Sequence, residues 1–215
     1  MGFYEDTRKG LIEALEIKKG RKIYETDGEY FICPIMEQDR ACYVELHRQI
    51  NGDTTLFLNP YCKDMMWEQV LQGKDKVFSI FDKNDQYCGS IELQKPLSET
   101  PEIGIDLLEN MRNRGIAPRV IRMFARKTYE EQSVEYFIIR ISSRNPHSKH
   151  VFEKMGVILI CEEESLFTAF MKDFREVVGE QDVSNIYDSL KERFGETETA
   201  EAEVVYRYKF TSDMF

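Results

Sequence analysis

The chain is poor in the residues that break regular structure, with 6 prolines and 12 glycines in 215 residues, and it has no apolar run long enough to span a bilayer. With 42% hydrophobic and 32% charged residues, that scarcity excludes a disordered or fibrous chain and describes an ordinary globular one. Cysteine is sparse and odd in number. Cys33, Cys42, Cys62, Cys88 and Cys161 stand at wide, irregular spacings without a C-x-x-C pair, which argues against a disulfide framework and against a zinc site. The three histidines, His47, His147 and His150, form no i, i+4 pair around a carboxylate, so no metal is expected. Positive charge is also short: 29 Lys and Arg against 39 Asp and Glu give a formal net charge of −10, which disfavours nucleic acid. The opening residues Met1-Gly2-Phe3-Tyr4-Glu5-Asp6 lack the basic start and apolar middle of a signal peptide, and Asp6 stands where myristoylation wants Ser or Thr. A cytoplasmic protein with no membrane attachment is expected, of a length suited to one large domain with a full core.

What is present centres on Pro101 to Met155. Glu102-Ile103-Gly104-Ile105-Asp106-Leu107-Leu108 reads as a strand, and Ile116, Val120 and Phe124, with Ala117, Ile121 and Ala125, repeat at helical spacing. Between them lies Arg112-Asn113-Arg114-Gly115-Ile116-Ala117, a strand-to-helix turn. Gly115 permits a positive φ and a close approach of backbone to ligand, and Pro118 falls in the first helical turn, where its missing N–H costs nothing. The first N–H groups of the helix have no internal partners and lie at the positive end of its dipole. Arg112, Arg114 and Arg119 add positive charge, so the turn suits a phosphate or diphosphate.

Arg112-x-x-Gly115-x-Ala117 between a strand and a helix resembles the acyl-CoA pyrophosphate loop, Q/R-x-x-G-x-G/A, of the GNAT N-acetyltransferase family. A second stretch carries the same resemblance. Val134 to Ser142 alternates as a strand, and Asn145-Pro146-His147-Ser148 then opens a helix that ends at Met155-Gly156, similar to the family's N-x-x-S/A motif and its closing glycine. The resemblance spans residues 30 to 160. It implies an α/β (α+β) fold with a mixed, mostly antiparallel sheet flanked by helices, acetyl-CoA as acyl donor, and an amine acceptor that is a small molecule or a peptide. A net negative charge is compatible with such a cationic acceptor.

Along the chain, residues 5 to 18 read as a helix. Arg21 to Glu25 and Tyr30 to Ile35 flank the hairpin signal Asp27-Gly28. Asp39 is the expected cap of a helix from Arg40 to Gln49, and a second helix is expected from Asp64 to Gln72. In the family these two helices and the loop between them, here with Phe57, Leu58 and Tyr61, shape the acceptor pocket. Val77 to Phe81 and Gln86 to Leu93 make a second hairpin, and Gly89 marks a bulge or a tight approach. Beyond Val157 to Cys161 the chain departs from the family: residues 164 to 195 carry two amphipathic stripes, Phe167, Phe170, Met171 and Phe174, then Val183, Ile186, Tyr187, Leu190 and Phe194. Val204 to Phe210 reads as a closing strand. The expected organisation is one domain: residues 1–29 an N-terminal helix and edge strand, 30–161 the core, 162–203 a helical insertion and 204–215 the last strand. The inserted pair caps the acceptor side or makes a homodimer.

The resemblance implies that backbone amides near Leu107 and Leu108 hold the thioester and its developing oxyanion, worth a few kcal/mol each. It assigns coenzyme contacts to Arg112, Asn113, Arg114, Gly115, Ile116, Ala117, Asn145, Ser148 and Phe152. Glu102, at the start of the central strand, is the candidate proton acceptor, with Asp106 on the same side at period two and Glu92 on the neighbouring strand as further candidates. Asn145 before Pro146 is equally the start of a helix whatever its function. The family often carries Tyr where this chain has Phe152, and His147 and His150 lie on other faces of that helix. The leading reading is an N-acetyltransferase working by direct attack in a ternary complex; the alternatives are a coenzyme-binding module without catalysis and an interaction protein that uses the helical pair.

Overall fold

Short apolar-rich runs make the strands of the sheet, and Asp27 and Asp82 mark the ends of two of them. The computed structural model describes residues 20–51, 59–73, 76–164 and 203–215. They fall into two compact units, one of the residues up to Phe137 together with Thr211–Phe215, the other Ile138–Phe210. The first contains β1 (Glu25–Thr26), β2 (Tyr30–Pro34), α1 (Arg40–Asn51), α2 (Pro60–Gln72), β3 (Val77–Asp82), β4 (Tyr87–Gln94), β5 (Glu102–Leu107) and α3 (Ile116–Glu131). Its strands lie in the order β1-β2-β3-β4-β5, each antiparallel to the next. The second unit holds β6 (Phe137–Ser142) from its second residue onward, α4 (Pro146–Lys154), β7 (Ile158–Glu164) and β8 (Val204–Phe210), in the order β6-β8-β7 with β7 and β8 antiparallel. The mixed α/β, mostly antiparallel fold expected from the sequence is the one observed.

Period-two alternation gives the first sheet two dressed faces. On one, Phe31, Cys33 and Phe81 meet Leu46 of α1 and Tyr87, while Ile35 and Val77 meet Tyr43 of α1 and Trp67 and Val70 of α2. On the other, Phe78 packs edge-on to Phe124 of α3 with ring centroids 5.2 Å apart. Ile116, Val120, Ile121, Phe124 and Ala125 of α3 are all buried, and at about 1.5–3 kcal/mol for each large apolar side chain that face anchors the helix.

Several boundaries differ from the pattern. The second helix begins at Pro60, one turn before Asp64, because the Asn59 side chain accepts from the Tyr61 N–H and Pro60 fills the first helical position. Asp39 does not cap α1. Its buried carboxylate accepts from both guanidinium nitrogens of Arg21 (2.6 and 2.9 Å), from Ser79 Oγ and from the Met36 N–H. With Arg21 turned inward to that cluster, the edge strand contracts to Glu25–Thr26, although the Tyr24 N–H still donates to the Ile32 carbonyl. The sixth strand starts at Phe137 rather than Val134. All five cysteines are free thiols. The expected helix at 5 to 18, the loop residues Phe57 and Leu58, and the helical pair lie outside the described residues, except that Glu164 ends β7. Among the described residues no helix is long and apolar enough to cross a membrane, and no group of three His, Cys, Asp or Glu could hold a metal.

Candidate active site

The strand-to-helix turn forms as its residues require. After β5 a short 3-10 turn at Glu109–Met111 buries Met111, Asn113 takes φ 61°, and Gly115 caps α3 in the left-handed region at φ 72°. A Cβ built on Gly115 meets no atom within 4 Å, so glycine is present here for its backbone and not for want of room. No side chain caps α3, so the first N–H groups of a 16-residue helix emerge beside an exposed run from Arg112 to Gly115. Arg112 donates from Nε to the Leu107 carbonyl (3.1 Å), which ties the loop to the end of β5. Arg119 is not part of this charge cluster. It is paired with Asp27 Oδ2 at 2.6 Å and its guanidinium lies over the Tyr30 ring, because the β1–β2 turn reaches the same helix face.

Upstream, β4 carries a bulge in its pairing with β3. Ile80 pairs with Gly89 but Phe81 pairs with Tyr87, so Cys88 is the extra residue. Across β4 and β5, Gly89 opposes Leu107, and the Leu108 N–H donates to the Cys88 carbonyl at 3.0 Å. That bond makes Gly89 and Leu107 a non-hydrogen-bonded pair, and the alternation of an antiparallel ladder then directs the Leu107 N–H away from β4. Of the two amides expected to serve the thioester, Leu108 is therefore engaged with β4 and Leu107 is the one directed away from it.

The face beneath α1 gathers the carboxylates. Glu102, Gly104 and Asp106 oppose Gln94, Glu92 and Ser90, so all six share one face. A Cβ on Gly104 would lie 3.0 Å from Glu92 Oε1 and 3.1 Å from its Cγ. Glycine here lets Glu92 fold across β5, where Gln94 also donates to it. Burial raises the Asp106 carboxyl, helped by Glu92 and opposed by His47 and Arg112. His47 moves the other way: burial lowers it, against the pull of Asp106 and Glu92. Its Nε2 is buried and has no hydrogen-bond partner among the described residues, and its ring lies 4.3 Å from that of Tyr43. Sequence reading missed His47 in this role. The available signal was a titratable residue on the apolar stripe Tyr43, Leu46, His47, Ile50 of α1. Glu102 lies five residues before Leu107, roughly 16 Å along an extended strand.

In the second unit, Asn145 Oδ1 accepts from the Ser148 N–H at 2.9 Å, so the helix-start role of Asn145 is real. Phe152 is buried, and His147 and His150 are exposed. On the same unit Lys149 lies 3.8 Å from the centroid of the Tyr206 ring, and the Tyr208 hydroxyl donates to Glu153. Thus Glu102, Leu107, Leu108 and Arg112 to Ala117 fall together in the first unit, while Asn145, Ser148 and Phe152 sit on α4 of the second.

The chain belongs to the GNAT acetyltransferase family: the family profile described as "Acetyltransferase (GNAT) domain" matches residues 25–158, more than half of the sequence. Over 90 residues it is 31% identical to the ribosomal-protein-serine acetyltransferase of Escherichia coli (strain K12), a match covering 41% of this chain and 50% of that one, so the chain spans about half the length of that relative. Among solved structures, the spermidine N-acetyltransferase from Vibrio cholerae in complex with CoA and spermine superposes with a TM-score of 0.61 at 11% identity, covering 87% of this chain and 98% of that one. A chimera of the Vibrio cholerae spermidine N-acetyltransferase with hSSAT gives 0.63 at 11% identity, over 86% and 96%. At such identities the likeness is one of fold. Enzymes of this family take their acetyl group from acetyl-CoA.

Proposed function

We propose that this protein transfers the acetyl group of acetyl-CoA to a primary amine by direct attack in a ternary complex. The observation that carries the reading is the run from Leu107 to α3: an amide directed away from β4, then a loop held to it by Arg112, then a left-handed glycine that opens a helix with uncapped N–H groups. Those residues fit the donor. The α3 N–H groups, with Arg112 and Arg114, would receive the diphosphate, and the Leu107 N–H would polarise the thioester carbonyl. Asn145, Ser148 and Phe152 join the proposed coenzyme contacts on the strength of their motif.

The acceptor proposed is a cationic amine, small or at the end of a peptide. Glu92, Glu102 and Asp106 on one sheet face favour a positively charged partner, and the family relatives named above act on spermidine or on ribosomal-protein serine. Such an amine arrives protonated and needs a proton acceptor before it can attack, the role for which Glu102 is the motif-based candidate. Phe152, where the family often has a tyrosine, favours a second reading in which coenzyme binds without turnover. The experiment is incubation with acetyl-CoA and a panel of spermidine, spermine and a serine-initiated peptide, read by release of free thiol. Release that depends on the amine supports transfer; tight coenzyme binding with no release on any amine supports the second reading.

A further inference from the structure

We propose that Gln49 is a positioning residue that couples the two substrates of the transfer. It joins the helix over the acceptor face to the loop that receives the coenzyme, so that an amine held beneath α1 and a coenzyme held at α3 each tighten the other. The assignment rests on the acetyl-transfer reading above and names the residue through which acceptor and donor sites are linked.

The link is a continuous run of hydrogen bonds between groups far apart in sequence. Gln49 Oε1 accepts from the Glu109 N–H at 2.9 Å, across 60 residues. The Glu109 carbonyl accepts in turn from the Arg112 N–H at 3.3 Å, and Arg112 Nε donates to the Leu107 carbonyl at 3.1 Å. Glu109 is the first residue of the 3-10 turn after β5, and Leu108 before it offers no side-chain cap. An N–H that opens a helical turn has no partner within it, so Gln49 supplies from α1 the acceptor that a local cap would otherwise provide. Met111, two residues on, is buried and fixes the other side of the same turn.

The amide of Gln49 can face only one way. Its Nε2 donates to Glu45 Oε1 at 2.9 Å, and Arg48 holds the same carboxylate through Nε and one terminal nitrogen, at 2.8 Å each. Those bonds, Arg48's first, hold the Glu45 carboxyl down at about 2, so it stays ionised and can only accept. With Nε2 committed to Glu45, Oε1 is left for Glu109. The opposite end of α1 is tied down as well, since Asp39, directly before Arg40, accepts from Arg21 and Ser79. An ammonium drawn to the carboxylates beneath α1 settles the helix between these two ties, and a diphosphate at the α3 N–H groups settles the Arg112 loop. Because Gln49 holds both elements in one frame, each ligand favours the arrangement the other needs, and the gain is reciprocal.

The test is calorimetric titration of CoA, which cannot turn over, into the full chain with and without saturating spermidine, spermine or the serine-initiated peptide. In wild type the amine that binds should tighten CoA by about threefold to tenfold, the range one net hydrogen bond is worth. Gln49→Met, of similar shape, should melt close to wild type and lose that enhancement. Gln49→Glu keeps an oxygen for the Glu109 N–H but repels Glu45, so it should melt lower and keep the enhancement. A merely structural residue gives the reverse, with the enhancement following the melting temperature. Enhancement that persists in Gln49→Met, or that is lost equally in both variants, overturns the proposal. Should Gln49→Met not fold, wild type decides alone: the amine must shift the amide resonances of Glu109 and Arg112, and unmoved resonances overturn it. Thiol release on an amine that leaves CoA affinity unchanged sinks this assignment and spares the enzyme reading. If no amine binds or releases thiol, the enzyme reading fails and this assignment with it.

Discussion

A Cβ placed on Gly89 would lie 2.0 Å from the carbonyl oxygen of Asp106 and 2.9 Å from Leu107 Cα. Backbone cannot yield at such a distance as a flexible side chain would. Gly89→Ala must therefore push β4 from β5 at the bulge, and overpacking of this kind costs about 1–3 kcal/mol. The expected outcome is a melting temperature lower by roughly 2–12 °C for a chain of this size, with weaker acetyl-CoA binding because Leu107 moves. Thermal melts and calorimetry check both, and a variant melting like wild type contradicts the close approach.

Gly115 presents the opposite case. Its Cβ would meet no atom, so Gly115→Val leaves the packing alone and adds only the left-handed strain of a branched residue, about 1–2 kcal/mol. The added side chain would occupy the space over the α3 N–H groups that a diphosphate needs. Folding is expected to survive while coenzyme affinity is lost, as read by circular dichroism and calorimetry on the same preparation. Retained affinity would remove the loop from the site.

His47 gives a pH dependence of known sign. Its folded proton affinity is lowered by burial, so the unfolded chain binds the proton more readily, and the stability it contributes is present above the ordinary value of 6.5 and lost as pH falls through the folded one. Asp106, raised from 3.8, acts with the opposite sign, favouring the fold as pH falls through its raised value. Comparing denaturant midpoints of wild type and His47→Gln at pH 7.5 and 5 isolates the first effect. Wild type should lose more stability on acidification than the variant does. Equal losses would mean that His47 is solvated.

The strands, α3 and the phosphate-type turn were legible because each has a local signal: the Asp27-Gly28 hairpin before Tyr30–Pro34, an apolar-rich run over Glu102–Leu107, 3.6-residue spacing from Ile116, and a glycine with an arginine three residues before it. Asp39 misled because helix-cap chemistry and buried ion-pair chemistry ask for the same carboxylate, and only the fold brings Arg21 and Ser79 to it. The choice between Leu107 and Leu108 could not be read, since it depends on the register of β5 against β4, which only the fold sets. His47 was hidden for a similar reason: its burial beside Tyr43 follows from how α1 packs on the sheet, which nothing local shows.

The three arginines of the turn region should separate by partner. Arg119 spends its charge on Asp27 and lies over Tyr30, so Arg119→Ala should leave acetyl-CoA affinity unchanged and weaken the β1–β2 turn by at most about 1 kcal/mol, the range of an exposed pair. Arg114 is exposed, beside the cap of α3, and has no ion pair or hydrogen bond among the described residues. Its charge is available to a phosphate, and Arg114→Ala should weaken the coenzyme about tenfold, or about 1.4 kcal/mol, with a smaller loss at high salt because exposed charges are screened. Arg112→Ala should do more than either, since it also removes the hydrogen bond to the Leu107 carbonyl and loosens the strand end that presents the amide. Calorimetric titration of the three variants at low and high salt orders them; a loss at Arg119 equal to that at Arg114 would mean that the Asp27 pair opens when coenzyme binds.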